Sequence, residues 1–359
     1  MFSMTNIDPI ELRYFADIDL HDPFFDSLRA TYEGFDAWYQ RKAAMHQTAY
    51  VSISNSHVIA FLYLKDETGI DNTVIPPISG RRLKIGTFKV DFAHHSSLGK
   101  RLFAIAMQRF AQDEYAYTYV TLFDAPHTQG LRRMLEQYGF KQTGYKNKEQ
   151  VWEKTRPASN QSMSNIYTSY PFIALNTSRK NIYLPIYPEF HSRMFSSRLA
   201  TEKTVSIPDA TMTNSIEKIY LTAMPFTAQL QYGDRILIYR TAPDKSSAYY
   251  SSVVSTVCSV VEVTHISSFT SYDEFYRYIK GRSVFTDDEL QLFWANKRYP
   301  YILLFIENFS FSTPYPTRQR LLDNQLLDEH QRPNGQCISD DQLVQLIHLG
   351  GNGESFIIY

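Results

Sequence analysis

The chain has 359 residues, with 36 Lys and Arg against 37 Asp and Glu, so its formal net charge is −1. That length predicts two domains, each able to bury its own core, and the balanced charge excludes a global basic bias toward nucleic acid while leaving room for a local patch. Two cysteines lie outside any C-x-x-C pair, and no Cys/His cluster has zinc spacing, so no metal site is expected.

Residues 10–15 predict a first strand. Residues 22–47 carry apolar side chains at helical spacing and predict two helices, with Pro23 in the first turn and a break at Gly34. Two apolar strands flank Asn55-Ser56-His57, a hairpin turn, and Ile75 to Gly80 is loop. From Leu83 to Phe140 the order is strand, tight polar loop, helix, strand, helix. The segment 145–154 predicts one closing strand. Alternating strands and helices make residues 1–155 an α/β domain.

The loop from His94 to Lys100 lies at a strand-to-helix junction. Free backbone N–H groups and the positive end of a helix dipole converge there, which suits a phosphate or pyrophosphate. An ordinary turn capped by Ser96 or Ser97 uses the same geometry. Lys100 and Arg101 either neutralise phosphates or form a solvated helix face.

Residues 156–174 are rich in Ser, Asn and Thr and predict a linker. The second domain, residues 175–359, predicts strands at 230–239, 248–263 and 301–309, with short helices at 272–280 and 287–294 between them. Helices inserted into a run of strands predict a small β-barrel. Arg235, Tyr239, Arg240 and Arg282, set among aromatic residues, are a candidate nucleic-acid face; a satisfied barrel surface is the alternative. The 26 Tyr of the chain offer flat faces for bases, although strand-rich domains favour aromatics for packing alone. Residues 185–198 mix Arg, His and aromatics and either dock the domains or line a cleft. No apolar run reaches membrane-spanning length, and the N-terminus lacks a basic region followed by an apolar stretch. A cytoplasmic protein without a signal peptide or membrane partner is expected, and a homo-oligomer stays open.

The run from Leu83 to Phe140 resembles the GNAT superfamily of acetyl-CoA-dependent N-acyltransferases. Gly99-Lys100-Arg101-Leu102 is similar to the G-K-x-L of the family's pyrophosphate loop, and Leu131 to Phe140 is similar to its segment ending in Gly-Phe. The resemblance covers about residues 10–155. It implies acetyl-CoA as co-substrate, bound by Val90, Phe92, Ser97, Leu98, Gly99, Lys100, Arg101 and Thr128, the last also a plain helix cap. It implies a general acid at the position of Leu135, where the family often has Tyr, so Tyr138 or Tyr145 takes that role. Asp91, His94, His95 and Asp124, at the ends of the two central strands, are the candidate bases, and Asp91 and His94 are carried forward with Tyr138 as the catalytic set.

The segment Gly233 to Tyr239 is similar to the Gly-Asp strand of PUA-like folds of ASCH and EVE type, over about residues 180–325. The combined expectation is an α/β GNAT-like domain followed by an α+β PUA-like β-barrel domain. The implied activity is acetyl transfer to a primary amine, carried either by tRNA or another nucleic acid recruited by the second domain or by a protein or metabolite. A catalytically inactive reader of such nucleic acids is the alternative.

Overall fold

The computed structural model of the protein describes residues 9–91, 97–160, 163–195 and 215–359. The chain divides into two compact units, Asn6–Arg156 and a second built from Pro157–Tyr359.

The first unit is a mixed sheet with helices on it. Its strands are β1 (Ile10–Tyr14), β2 (Thr48–Ser54), β3 (His57–Glu67), β4 (Val74–Ile75), β5 (Arg82–Val90), β6 (Tyr117–Leu122), β7 (Lys141–Lys146) and β8 (Glu149–Thr155), in the spatial order β1-β2-β3-β5-β6-β8-β7-β4. The helices are α1 (Asp26–Thr31), α2 (Phe35–Ala44), α3 (Leu98–Gln112) and α4 (Gln129–Gln137). The segment expected as one closing strand contributes to two, because Asn147 takes a left-handed φ of 55° and turns the chain between β7 and β8.

Helix α3 forms where Leu98, Leu102, Phe103, Ala106, Met107 and Phe110 recur at helical spacing, and all six are buried. It carries the chain from β5 to β6, which pair in parallel; a parallel pair needs such a crossover. Aromatic rings fill the interior beside α2: Phe15 packs edge-on against Tyr39, Phe61 and Tyr63. Asp22 accepts hydrogen bonds from the backbone N–H of Phe24 (2.8 Å) and of Val58 (3.0 Å), and so ties the turn before α1 to the β2–β3 hairpin. After α4, Gly139 takes a φ of 85°, a conformation that favours glycine, and Phe140 N–H returns to Leu135 O at 2.9 Å.

The second unit holds α5 (Ile166–Ser169), β9 (Ile173–Ala174), β10 (Asn181–Ile186), α6 (Pro188–Phe195), β11 (Glu217–Thr222), β12 (Arg235–Arg240), α7 (Ala248–Ser251), β13 (Val253–His265), α8 (Tyr272–Ile279), α9 (Asp287–Asn296), β14 (Tyr301–Ser310), α10 (Arg318–Asp323), β15 (Cys337–Ile338), α11 (Asp340–Leu349) and β16 (Ile357–Ile358). Six strands form a sheet of order β11-β14-β13-β12-β10-β15, and β9 pairs separately with β16. Among the described residues this sheet is open, with β11 and β15 at its edges, so the closed barrel expected from sequence is not formed by these strands. The expected strand at 248–263 begins as α7 and becomes β13 only from Val253. Residues of the stretch 156–174 form α5, capped by Asn165 through Tyr167 N–H, and β9.

Candidate functional site

The site begins with a fault in strand pairing. Tyr63 of β3 pairs with Thr87 and Leu64 pairs with Ile85, so Gly86 is an extra residue on β5. A Cβ at Gly86 would stand 2.9 Å from Cδ1 of the buried Tyr63 ring, a contact that only glycine avoids. Such a bulge bends its strand. On its other edge β5 pairs with β6 only from Arg82↔Tyr117 to Ile85↔Val120, although β5 runs on to Val90 and β6 to Leu122. Pairing therefore stops at the bulge. Beyond it, the backbone groups of β5 that face β6 have no strand partner among the described residues.

A cleft of about 1640 Å³ opens at this parting. Its lining includes Gly86 to Asp91 of β5 and the residue after it, Val120 to Phe123 at the end of β6, and Gly99 of α3. From the helical side come Tyr32, Phe35 and Trp38, and from the start of β8 comes Glu149. Tyr32 donates its hydroxyl hydrogen to Glu149 Oε1 at 2.8 Å, and its ring lies 5.6 Å from that of Phe123. Burial first, and then the Glu149 carboxylate, push the Tyr32 hydroxyl well above its ordinary value, so it stays protonated. Lys89 reaches across the cleft to Ser27 Oγ (2.6 Å) and to the carbonyl of Phe24, and burial lowers its pKa.

The residues expected to hold the cofactor divide into three groups. Val90, Gly99 and Thr128 line the cleft. A Cβ at Gly99 would meet only Val90 Cγ2, at 3.9 Å, so the backbone there has room. The Thr128 hydroxyl donates to the carbonyl oxygens of Phe123 and Ala125, both at 2.8 Å, and so shapes the turn before α4. Ser97, Leu98 and Arg101 are buried beside the loop and do not line the cleft, and Lys100 is half-buried. The exposed helix face considered for Arg101 is thus corrected, because its position on α3 turns inward with Leu98 and Leu102. Phe92 and His94, with His95 and Ser96, lie outside the described residues.

Of the candidate catalytic groups, Asp91 lines the cleft, and its N–H bonds to Ile59 O at 2.8 Å. Tyr138 does not line the cleft. Its ring is fully buried 5.0 Å from that of Phe103, because the last turn of α4 packs it against α3. Tyr145 is exposed on β7. Sequence reading missed Gly86, Tyr32 and Glu149. The one available signal was a glycine inside a strand of alternating apolar and polar residues, which marks a bulge or a close approach.

The nucleic-acid set also needs correcting. Arg235 is 2% exposed, and its guanidinium donates to Asp340 Oδ1 (2.7 Å), Arg179 O (3.0 Å), Asn181 Oδ1 and Ala174 O. It joins β12 to β9, to β10 and to the start of α11. Tyr239 is buried beside Tyr183, and Arg240 is buried with a bond to Ser251 O at 3.0 Å. Arg282 is half-buried over the Tyr278 ring. An apolar strand at the middle of a sheet buries both of its faces, which sequence alone does not reveal.

No protein-family model matches the chain, and no curated protein matches it. Solved structures similar to it include the PaiA N-acetyltransferase of Thermoplasma acidophilum in complex with coenzyme A, at 15% identity over 41% of this chain and 99% of that one, with a TM-score of 0.29. An acetyltransferase of the GNAT family from Listeria monocytogenes matches at 14% identity over 41% and 94%, with a TM-score of 0.26. A mutant of the ASCH protein of Zymomonas mobilis matches at 11% identity over 48% and 96%, with a TM-score of 0.31. The neighbours thus include both GNAT acetyltransferases and ASCH proteins, the two kinds of domain that the sequence resembles. At such scores they do not carry a reading of the site, which rests on this chain's own strand order and cleft. Among the described residues no helix is long and apolar enough to cross a membrane.

Proposed function

We propose that the Asn6–Arg156 unit is an acyl-CoA-dependent N-acyltransferase with acetyl-CoA as co-substrate. The observation that carries this reading is the parting of parallel strands β5 and β6 at the Gly86 bulge, with a cleft running from it to Gly99 at the start of α3. An extended amide-bearing chain can pair with the unpaired edge of β5 as a strand would, which suits pantetheine. Its phosphates would then reach the N-terminal turn of α3, where N–H groups and the dipole favour anions. The amine attacks the thioester carbonyl, the C–S bond breaks, and the thiolate takes a proton. The ammonium proton lost before attack goes to solvent; Glu149 would accept the proton that the nitrogen sheds as the amide forms, and the Tyr32 hydroxyl beside it would give its own proton to the leaving sulfur and recover one from Glu149.

The rival reading, a GNAT-like fold kept only for binding, fits less well with an acid and a base hydrogen-bonded to each other in an open cleft. We assign the second unit, ASCH-like in its resemblance, to recruiting the acceptor. Nucleic acid stays the first class to try, although Arg235, Tyr239 and Arg240 are not the residues that would hold it.

Calorimetry with acetyl-CoA tests the cofactor site. Gly99→Glu places a carboxylate where the phosphates would sit, in a position with room for a Cβ. The variant should keep cooperative unfolding and lose acetyl-CoA binding. Unchanged affinity would remove the assignment.

A further inference from the structure

Below the bulge the same cleft gathers a group of cations. Lys84 of β5 stands directly opposite Lys65 of β3 and directly opposite Tyr119 of β6, so the three side chains share one face of the sheet. Like charges directly opposite are unfavourable. Arg41 and Lys42 of α2 line the cleft with them, and Lys42 sits 5.2 Å above the Tyr63 ring. Both nearby carboxylates, Glu67 and Glu149, are already engaged, and Glu149 accepts the Tyr32 hydroxyl at 2.8 Å. Glu67 holds Lys65 at 2.7 Å through Oε1, and through Oε2 it accepts from Tyr119 (2.7 Å) and Arg82 (3.3 Å). Lys84 is left half-buried, 5.5 Å from the Tyr119 ring, without an ion-pair partner among the described residues. Burial and then neighbouring cations hold the ammonium groups of both Lys84 and Lys42 below their ordinary pKa.

We propose that Lys84, supported by Lys65 and Lys42, binds an anionic group of a substrate at the inner end of the cleft. This deepens the acyltransferase reading and rests on it for the direction of the substrates. Lys84 lies six residues before Val90 on an extended strand, roughly 20 Å at strand rise, so it is remote from the α3 end where the cofactor phosphates would lie. An anion here therefore lies past the reacting carbonyl. It belongs either to the acceptor amine, as a carboxylate or phosphate, or to the far end of a dicarboxylic acyl chain. The shared chemistry is a small oxyanion matched to a partly desolvated ammonium.

The test is calorimetry on the full chain. Phosphoethanolamine and β-alanine are titrated against uncharged ethanolamine, and succinyl-CoA against acetyl-CoA, for wild type, Lys84→Met and Lys84→Arg. An anionic acceptor is indicated if the anionic amines bind roughly tenfold or more tighter than ethanolamine. An anionic acyl chain is indicated if succinyl-CoA holds that advantage over acetyl-CoA. In either case Lys84→Met should erase the preference and leave acetyl-CoA affinity unchanged, while Lys84→Arg keeps the preference. Equal binding of charged and uncharged ligands, no saturable binding of any anionic ligand, or a preference that survives Lys84→Met overturns the proposal. Loss of acetyl-CoA binding in the wild type, with the Lys84-dependent preference intact, would instead count against the acyltransferase reading alone.

Discussion

Lys154 gives a measurable account of what burial costs a charge in this fold. It is 2% exposed on β8, donates to Tyr138 O at 2.6 Å, and has its pKa pulled by burial from 10.5 to about 7. The unfolded chain holds the lysine proton up to its ordinary pKa, whereas the folded chain gives it up near neutrality. Between those two values the unfolded state binds more protons, so stability rises as pH rises. At about 1.36 kcal/mol per pH unit the whole window amounts to roughly 4 to 5 kcal/mol. Buried tyrosines such as Tyr39 and Tyr119 stay protonated in the fold and oppose this rise once unfolded tyrosine ionises near pH 10. The clean interval is therefore pH 7 to 9, in which Lys154 contributes about 2 to 3 kcal/mol. Urea unfolding of the full chain in a Trp294→Phe background, followed by the fluorescence of Trp38 and Trp152, reports on the first unit. Wild type should gain that stability from pH 7 to 9, and Lys154→Met should be flatter by the same amount. Parallel pH profiles for the two proteins would refute the reasoning.

Three further outcomes are expected. Gly86→Ala should destabilise the first unit by roughly 1 to 3 kcal/mol through overpacking against Tyr63, and weaken acetyl-CoA binding; thermal unfolding in a Tyr63→Ala background, where the added methyl group meets no ring, should recover part of that loss. Glu149→Gln should lower kcat about 10²- to 10⁴-fold at unchanged acetyl-CoA affinity, the usual effect of losing a general base, read as CoA release in the presence of an amine acceptor. Arg235→Ala should lower the stability of the second unit by roughly 3 kcal/mol or more by removing the cation paired with Asp340 and leaving the carbonyl groups of Ala174 and Arg179 without the guanidinium donor; a variant with wild-type thermal unfolding and selectively weaker tRNA binding would restore Arg235 to the binding face.

Local patterning made much of the first unit legible. The apolar spacing of α3, the Asn55-Ser56 hairpin and the Gly-Phe ending of α4 depend on neighbours a few residues away, and the chain order follows from them. The end of the cleft proposed for the cofactor phosphates is local in the same way, since Gly99 and the start of α3 are adjacent in sequence. What tertiary structure decided is which side chains face one another. Tyr32 and Glu149 meet at 2.8 Å although 117 residues separate them. Lys65, Lys84 and Tyr119 share a row only because three strands align in one register. The same cause misplaced Tyr138, Arg101 and Arg235, whose residue types suit chemistry but whose positions are buried. Burial is set by what packs on the far side of an element. The period of a helix or strand fixes which residues share a face, and only the assembled sheet and its helices decide whether that face meets solvent, a cleft or the core.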